Sequence, residues 1–186
     1  MRVYRKLLPT DLPEFRAHLL RLSPDDRQSR FWASVTDRAI ADYCTRIDWL
    51  KTIIIGCFEE GALRGAAELR FEDPRVAWRA EVAVTVEGVV QGQGIGTELL
   101  GQLIVIARNR GLTSLIMLCL LDNARMQRIA RHYEGALKIE EGQVEAGIAM
   151  PFPTQVSLMQ EALFDGAGLA ATWWDTLRLQ AFRAAS

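Results

Sequence analysis

The chain has 186 residues, enough for one domain with a substantial core and too few to suggest two large domains. Hydrophobic residues make up 49% of it and charged residues 24%, with a formal net charge of −1, which excludes a disordered or fibrous protein. The balanced charge gives no indication of nucleic-acid binding, and no apolar stretch is long enough to span a bilayer.

The cysteines and the start of the chain indicate the compartment. Cys44, Cys57 and Cys119 are scattered without the CxxC spacing of a metal site, and an odd number cannot pair completely within one chain. The first residues carry charges but no long apolar region of a signal peptide. We therefore expect a cytoplasmic protein with no metal site and no nucleic-acid or membrane partner.

The first half of the chain predicts alternating helices and strands. Ser23 as cap, Pro24 as first helical residue and acids in the first turn favour one helix start, and Thr10-Asp11 offers capping side chains for another. A turn at Glu59-Glu60-Gly61 joins two apolar strands into a hairpin, and Asp73-Pro74 ends it. The predicted strands are 3–7, 53–58, 62–71 and 80–86. Three helices are predicted: one after Asp11, one after Ser23 and one over about 37–48.

The second half predicts a glycine-rich turn, a helix and a buried strand. Ile95, Leu99 and Leu103 recur at helical spacing, so a helix starts within the glycine cluster and runs to about residue 110, where Gly111 ends it. Residues 112–121 form a nearly continuous apolar run. Such a run predicts a strand buried on both faces, as in a parallel strand reached by a right-handed crossover.

The remaining elements complete the domain and add a tail. Asp122-Asn123 caps a helix to about residue 133, and two short strands, 136–140 and 143–150, flank Glu141-Gly142. We expect a domain over 1–150 and a helical extension over 151–186, split into pieces 154–165 and 169–184 by Gly166-Ala-Gly168. The extension carries an apolar stripe that we expect to pack on its own domain or on a partner subunit. The stripe comprises Val156, Met159, Leu163, Leu169, Trp173 and Leu177.

The segment Gln91-Gly-Gln-Gly-Ile-Gly-Thr97 is a candidate phosphate site. Its glycines remove side chains, while the first amides of the following helix lack internal partners and lie at the positive end of the helix dipole. A Walker loop would need a lysine, and a dinucleotide fingerprint would need a glycine at Thr97, so both are excluded. The alternative is that the glycines only allow a tight turn.

This segment fits the acyl-CoA signature Gln/Arg-x-x-Gly-x-Gly/Ala of the GNAT superfamily, and the element order over 3–150 resembles the whole GNAT domain. The resemblance implies an α/β fold: a mixed, mostly antiparallel sheet with one splayed parallel strand pair and helices on both faces. It also implies acetyl-CoA as co-substrate, with the pyrophosphate on the loop amides and the pantetheine along the strand before the loop. The residues so assigned are Val84, Thr85, Val86, Gln91, Gly92, Gln93, Gly94, Ile95, Gly96, Thr97 and Asn123.

Asn123 has two interpretations. Asn123-Ala-Arg-Met126 resembles the Asn-x-x-Met that opens the next helix in the family, where the asparagine often lies beside the pantetheine. As a helix cap it would need no ligand.

The strand before the loop offers a candidate base. An amine with a solution pKa of ~10.4 must lose a proton before it attacks a thioester. Alternation places Glu81, Ala83, Thr85 and Glu87 on a small or polar face, with valines on the core face. The pattern Ala-Glu-x-Ala-Val-x-Val resembles bacterial protein-lysine acetyltransferases, in which this glutamate is the base. An ion pair of Glu81 with neighbouring Arg79 or Arg70 is the alternative.

Other positions agree with or depart from the family. The segment Leu22-Ser-Pro-x-x-Arg-x-x-Arg-Phe31 resembles the acceptor side of the same enzymes, which would place Arg27 and Arg30 at the cleft. The tyrosine that many members use as general acid is replaced by Arg131, and Tyr133 is close but predicted to face the core. His18 and His132 lack a partner pattern and are expected to be structural or solvated.

Together these patterns predict an N-acetyltransferase that transfers an acetyl group from acetyl-CoA to a primary amine by direct attack in a ternary complex. A non-catalytic acyl-CoA sensor with the same fold is the alternative. The acceptor amine is a small molecule or a protein lysine, and acidic Glu68, Glu72 and Asp73 favour a cationic one. We expect a monomer or a homodimer through the C-terminal helices.

Overall fold

A computed structural model describes residues 2–72, 78–140 and 143–184, with 172–184 described by their backbone alone. Within these residues the chain forms one seven-stranded sheet with helices on both faces. The strands are β1 Arg2–Lys6, β2 Thr52–Glu59, β3 Ala62–Phe71, β4 Arg79–Val86, β5 Ser114–Leu120, β6 Ala136–Glu140 and β7 Gln143–Ala149. The helices are α1 Leu12–Arg21, α2 Pro24–Phe31, α3 Asp37–Thr45, α4 Ile95–Asn109, α5 Ala124–His132 and α6 Gln155–Ala184. None of the described helices has the length and apolarity needed to cross a membrane.

The sheet order is β1-β2-β3-β4-β5-β7-β6, and every neighbouring pair is antiparallel except β4 with β5. The parallel pair joins Arg79, Ala80 and Glu81 to residues 114–116 of β5. Beyond Glu81 the two strands have no paired residues in the described chain, so they diverge. The predicted mixed sheet with one splayed parallel pair is confirmed.

Two apolar cores lie on opposite faces of the sheet. On one face Phe15, Leu19 and Ile40 of α1 and α3 are fully buried. On the other face Leu99 and Leu103 of α4 are fully buried against the sheet. The helical spacing seen in the sequence therefore marks the sides on which α1 and α4 pack.

The predicted burial of β5 on both faces is wrong. Leu115, Met117 and Cys119 are buried, whereas Leu118 on the opposite face is 36% exposed. Leu118 lines the cleft that opens beside β4, so that face of the strand borders open space.

Two helix starts differ in their capping. The Ser23 hydroxyl accepts the amide hydrogen of Asp26, as predicted, and Pro24 is the first residue of α2. Asp11 makes no side-chain cap for α1, because its carboxylate accepts the amide of Leu8 at 2.8 Å and pairs with Arg5 at 2.7 Å. The predicted capping at Thr10-Asp11 is therefore wrong. The turns predicted at Asp73-Pro74 and Glu141-Gly142 lie outside the described residues.

The extension is one continuous helix, α6, not two pieces separated at Gly166-Ala-Gly168. A Cβ on Gly168 would lie 2.9 Å from the Cβ of Arg5, so this glycine allows the helix to approach β1 closely. The glycine signal therefore marks a contact inside a helix rather than a break.

The face of α6 that packs on the domain is largely polar, with Phe164 as an apolar contact to the core. Lys6 pairs with Glu161 at 2.7 Å and with Asp165 at 2.9 Å, and Arg110 pairs with Glu161 at 2.9 Å. Val156, Met159, Leu163 and Leu169 of the predicted stripe are instead between 64% and 70% exposed. Of the two expectations for the stripe, packing of these four residues on their own domain is wrong, and packing on a partner subunit stays a prediction. The side chains of Trp173 and Leu177 lie outside the described part.

Candidate functional site

A cleft opens where β4 and β5 diverge. Its cavity volume of about 350 Å³ lies within the range of small-molecule sites. The cleft is bounded by the edge of β4, the glycine loop, the first turns of α4 and α5, and the end of α2. Its lining outside β4 includes Asp26, Ser29, Arg30, Trp32, Gln91, Gly92, Gly94, Ile95, Gly96, Thr97, Leu118, Asn123, Arg125, Met126, Arg128 and Ile129.

The three glycines of the loop have different roles. Gly92 has φ +76° and Gly94 φ +80°, backbone conformations that side-chain-bearing residues rarely adopt, and both face open space. A Cβ on Gly96 would lie 3.0 Å from Ile129, so Gly96 serves close packing of α4 against α5. Gly94 caps α4 without a side-chain hydrogen bond, so the first amides of the helix remain available at the cleft.

Side-chain hydrogen bonds connect the glycine loop to β4, α2 and α5. Gln91 donates to the carbonyl of Val86 at 2.8 Å and to the Asp26 carboxylate at 3.1 Å. Arg125 donates to the Gln91 side chain and to Asp26. Sequence reasoning missed Arg125 and the neighbouring cleft residue Arg128, which the spacing of two arginines in the first turns of α5 could have indicated.

The cleft runs along the edge of β4 rather than over one of its faces. All residues over 81–86 line it, so both alternating sets of side chains border the space. The expected open face of Glu81, Ala83, Thr85 and Glu87 is only partly present. Thr85 and Glu87 are buried, because α1 covers that end of the strand.

Glu87 is the centre of a buried polar cluster. It pairs with His18 at 3.1 Å, with Arg21 at 2.8 Å and with Arg64 at 2.8 Å. Burial raises the pKa of Glu87, but hydrogen bonds from His18, Arg21 and Arg64 outweigh it and lower the pKa to about 2. Since an ionised carboxylate only accepts, Nδ1 of His18 donates to it, while Nε2 lies 2.9 Å from the Thr85 hydroxyl. No sequence pattern indicates this partner of His18.

Glu81 lines the cleft at the point where β4 and β5 separate. Its side chain is 40% exposed, and its Oε2 atom lies 3.8 Å from Nη1 of Arg70, its cross-strand neighbour. Arg79 pairs with Glu72 at 3.1 Å instead. Of the two ion-pair partners considered for Glu81, the structure therefore shows Arg70.

Arg30 forms a buried pair beneath the cleft. It donates to Glu68 and, at 2.7 Å, to the Tyr43 hydroxyl, and Tyr43 in turn donates to Glu68. Burial and the charge of Glu68 raise the pKa of Tyr43. Arg30 borders the cleft as expected, whereas Arg27 pairs with Asp37 at 2.7 Å and is not among the lining residues. Because Glu68 and Glu72 are already paired with arginines, they leave little unpaired charge for a cationic acceptor.

Asn123 lines the cleft and also caps α5, since its side chain accepts the amide of Met126 at 3.1 Å. Tyr133 lies elsewhere: its hydroxyl donates to the carbonyl of Thr97 at 2.8 Å, and the ring packs against the core below α4. The expected core-facing position of Tyr133 is confirmed.

The three cysteines are buried with free thiols, as expected for small apolar side chains. Burial raises the pKa of the thiols of Cys44, Cys57 and Cys119. None of them lines the cleft, so the site holds no cysteine nucleophile among the described residues.

Comparison with known proteins shows which family the chain resembles. The model of the acetyltransferase (GNAT) family matches residues 14–133. The acetyltransferase Pat of Mycolicibacterium smegmatis is 32% identical over 149 residues, which are 78% of this chain and 43% of that protein. The chain thus spans less than half the length of this relative.

Solved structures share the fold. The GNAT domain of S. lividans PAT superposes with a TM-score of 0.68 at 20% identity, covering 79% of this chain and 89% of that chain. A cAMP-binding acyltransferase from Mycobacterium smegmatis gives a TM-score of 0.58 at 25% identity, covering 90% of this chain and 49% of that chain. The splayed strand pair, the glycine loop and these matches agree, and the chain belongs to the GNAT family of acetyltransferases.

Proposed function

We propose that the protein transfers an acetyl group from acetyl-CoA to a primary amine by direct attack in a ternary complex, with Glu81 as base. The observation that carries the proposal is the cleft between the diverging strands. It brings the open amides at the start of α4 and the carboxylate of Glu81 to the same space.

Backbone groups supply most of the donor site. The amides of residues 91–96 bind the pyrophosphate with Thr97 beside them, at the positive end of α4, and the unfilled space beside Gly92 and Gly94 suits an approaching phosphate. Val84, Thr85 and Val86 offer backbone to the pantetheine, and Asn123 lies at the same edge. Arg125 and Arg128 add positive charge. When bound, acetyl-CoA supplies the acetyl group as a thioester.

Glu81 accepts the proton that the acceptor must lose. The ammonium form of the amine gives one proton to Glu81, directly or through water, and the free nitrogen then forms a bond to the thioester carbonyl carbon. The bond from that carbon to sulfur breaks, the nitrogen releases its second proton to solvent to give the amide, and the departing thiolate takes a proton from solvent. Backbone amides near Val84 polarise the carbonyl. The buried, protonated cysteines support direct transfer, because they leave no thiolate to form a covalent acyl-enzyme.

Replacing Glu81→Gln tests the assignment. We expect kcat to fall by about 100-fold while the dissociation constant for acetyl-CoA stays unchanged, since the base acts on the acceptor. Glu72→Gln, which removes a carboxylate paired with Arg79, is the matched control and should retain activity. Unchanged turnover of Glu81→Gln at neutral and lower pH would remove Glu81 from the mechanism.

An acyl-CoA sensor is the second candidate, favoured by the engagement of the Tyr133 hydroxyl with Thr97, which leaves the site without an evident acid among the described residues. Release of CoA from acetyl-CoA, measured with a panel of a lysine peptide, a polyamine, an aminoglycoside and free amino acids, separates the two. Turnover with any of these amines supports the enzyme and identifies its acceptor class. Tight acetyl-CoA binding without turnover on all of them supports the sensor.

A further inference from the structure

The hydroxyl of Tyr43 joins two arginines and a glutamate beside the cleft. Its oxygen accepts from Nη2 of Arg30 at 2.7 Å and from Nη2 of Arg70 at 3.1 Å, and its hydrogen is donated to Glu68. Because a guanidinium only donates and a carboxylate only accepts, these directions are fixed. The hydroxyl group therefore makes all three of its hydrogen bonds, one donated and two accepted, to partners from α2 and β3.

Arg70 extends from this hydroxyl to the candidate base. Arg70 and Glu81 are directly opposite on β3 and β4, and Nη1 of Arg70 lies 3.8 Å from Oε2 of Glu81. Both side chains are partly exposed, and such an ion pair alone would hold neither in one place. The other terminal nitrogen of Arg70 is bound to Tyr43, however, so one end of the guanidinium is anchored.

The anchor is itself rigid. Glu68 and Arg30 are buried side chains that form an ion pair with each other, and each also binds the Tyr43 hydroxyl. The Arg30 guanidinium lies 5.2 Å from the ring centroid of Tyr43, and Phe31 packs edge-on against the same ring at 5.3 Å. The position of Tyr43 is thus determined by packing as well as by hydrogen bonds.

We propose that Arg70, anchored by Tyr43, is a positioning residue that orients the Glu81 carboxylate in the cleft. The inference rests on the proposed function, because it takes Glu81 as the base. A base must lie within hydrogen-bonding reach of the proton it removes, so a carboxylate free to rotate into solvent is less effective. Arg70 itself is not among the cleft-lining residues and acts through Glu81.

A double-mutant cycle of Arg70→Gln and Glu81→Gln tests this, with acetyl-CoA and the most active amine of the panel above. Arg70→Gln should lower kcat about fivefold and leave the KM for acetyl-CoA unchanged. In the Glu81→Gln background the same replacement should cause no further decrease. Tyr43→Phe should lower kcat by a smaller factor, and Arg70→Lys, which keeps the charge but has one terminal nitrogen for both partners, should give a kcat between those of Arg70→Gln and the wild type.

Arg79→Gln is the matched control, because it removes an equal charge from the same face of the sheet, but from an arginine of β4 that pairs with Glu72 instead of Glu81. Its kcat should equal that of the wild type, and thermal unfolding of every variant checks the fold. A wild-type kcat for Arg70→Gln, or an equal loss in both backgrounds, overturns the positioning role alone. If Glu81→Gln has no effect, the proposed base fails and the positioning role with it.

Discussion

The proposed donor side of the cleft, residues 91–97, presents backbone amides, whereas the proposed acceptor side depends on connected side chains from four elements, of which only Arg30 and Glu81 line the cleft. On the donor side, positive φ at Gly92 and Gly94 and an uncapped helix start create the site locally. On the acceptor side, α2, α3, β3 and β4 contribute Arg30, Tyr43, the pair Glu68 and Arg70, and Glu81. Damage to the donor side should therefore affect acetyl-CoA binding, while damage to the acceptor side should affect stability and turnover.

The largest effect is expected on the acceptor side, from Glu68→Gln. This change leaves the buried guanidinium of Arg30 without its counter-charge, which should lower the free energy of unfolding by about 3–4 kcal/mol. Urea denaturation measures the loss, and acetyl-CoA affinity of the folded variant should not change. Glu72→Gln is the control, since its partly exposed pair should contribute no more than about 1 kcal/mol. Equal losses for the two variants would show that burial adds nothing to the Arg30 pair.

The next effect concerns Glu87, where α1 closes the far end of β4. Its pKa in the folded state is about 2, below the ordinary value of 4.5, so its ion pairs stabilise the fold above pH 4.5 and are lost as the pH falls through about 2. Glu87→Gln should cost about 2 kcal/mol at pH 7, less than Glu68→Gln because the arginines left behind are partly exposed. Urea denaturation at several pH values should show this difference shrinking between pH 4.5 and about 2. A difference that stays constant down to pH 2 contradicts the prediction.

On the donor side, Gly94→Val should weaken acetyl-CoA binding about tenfold, because a β-branched residue at φ +80° strains the helix start and its side chain enters the phosphate space. Isothermal titration measures the dissociation constant. Gly61→Val in the β2–β3 turn introduces similar strain at φ +79° far from the cleft and should leave binding unchanged. If both variants bind equally well, the loop is only a turn.

The smallest effect is expected from Arg27→Gln. Arg27 resembles Arg30 in sequence context but pairs with the exposed Asp37 outside the cleft. The unfolding free energy should fall by about 1 kcal/mol, because Arg27 also donates to the carbonyl of Leu20, and kcat and both KM values should match the wild type. A marked rise in the KM for the amine would extend the acceptor side to Arg27.

Local sequence predicted the features that depend on neighbouring residues. Glycine spacing, helical periodicity and β-branched runs predicted the loop, α4 and the strands of the hairpin, because each reflects backbone preference or one-sided burial within a short segment. The resemblance of the glycine motif then predicted the splayed parallel pair that the structure contains.

Tertiary structure decided the rest. The pairing of His18 with Glu87 and the chain of contacts from Arg30 through Tyr43 to Arg70 join residues far apart in sequence, which no periodicity reports. At Gly168 the sequence predicted a helix break, but close approach to Arg5 requires a glycine within a continuous helix. Backbone preferences depend on a few neighbouring residues and can be predicted from the sequence. The partner of a polar side chain depends on which elements the fold brings together.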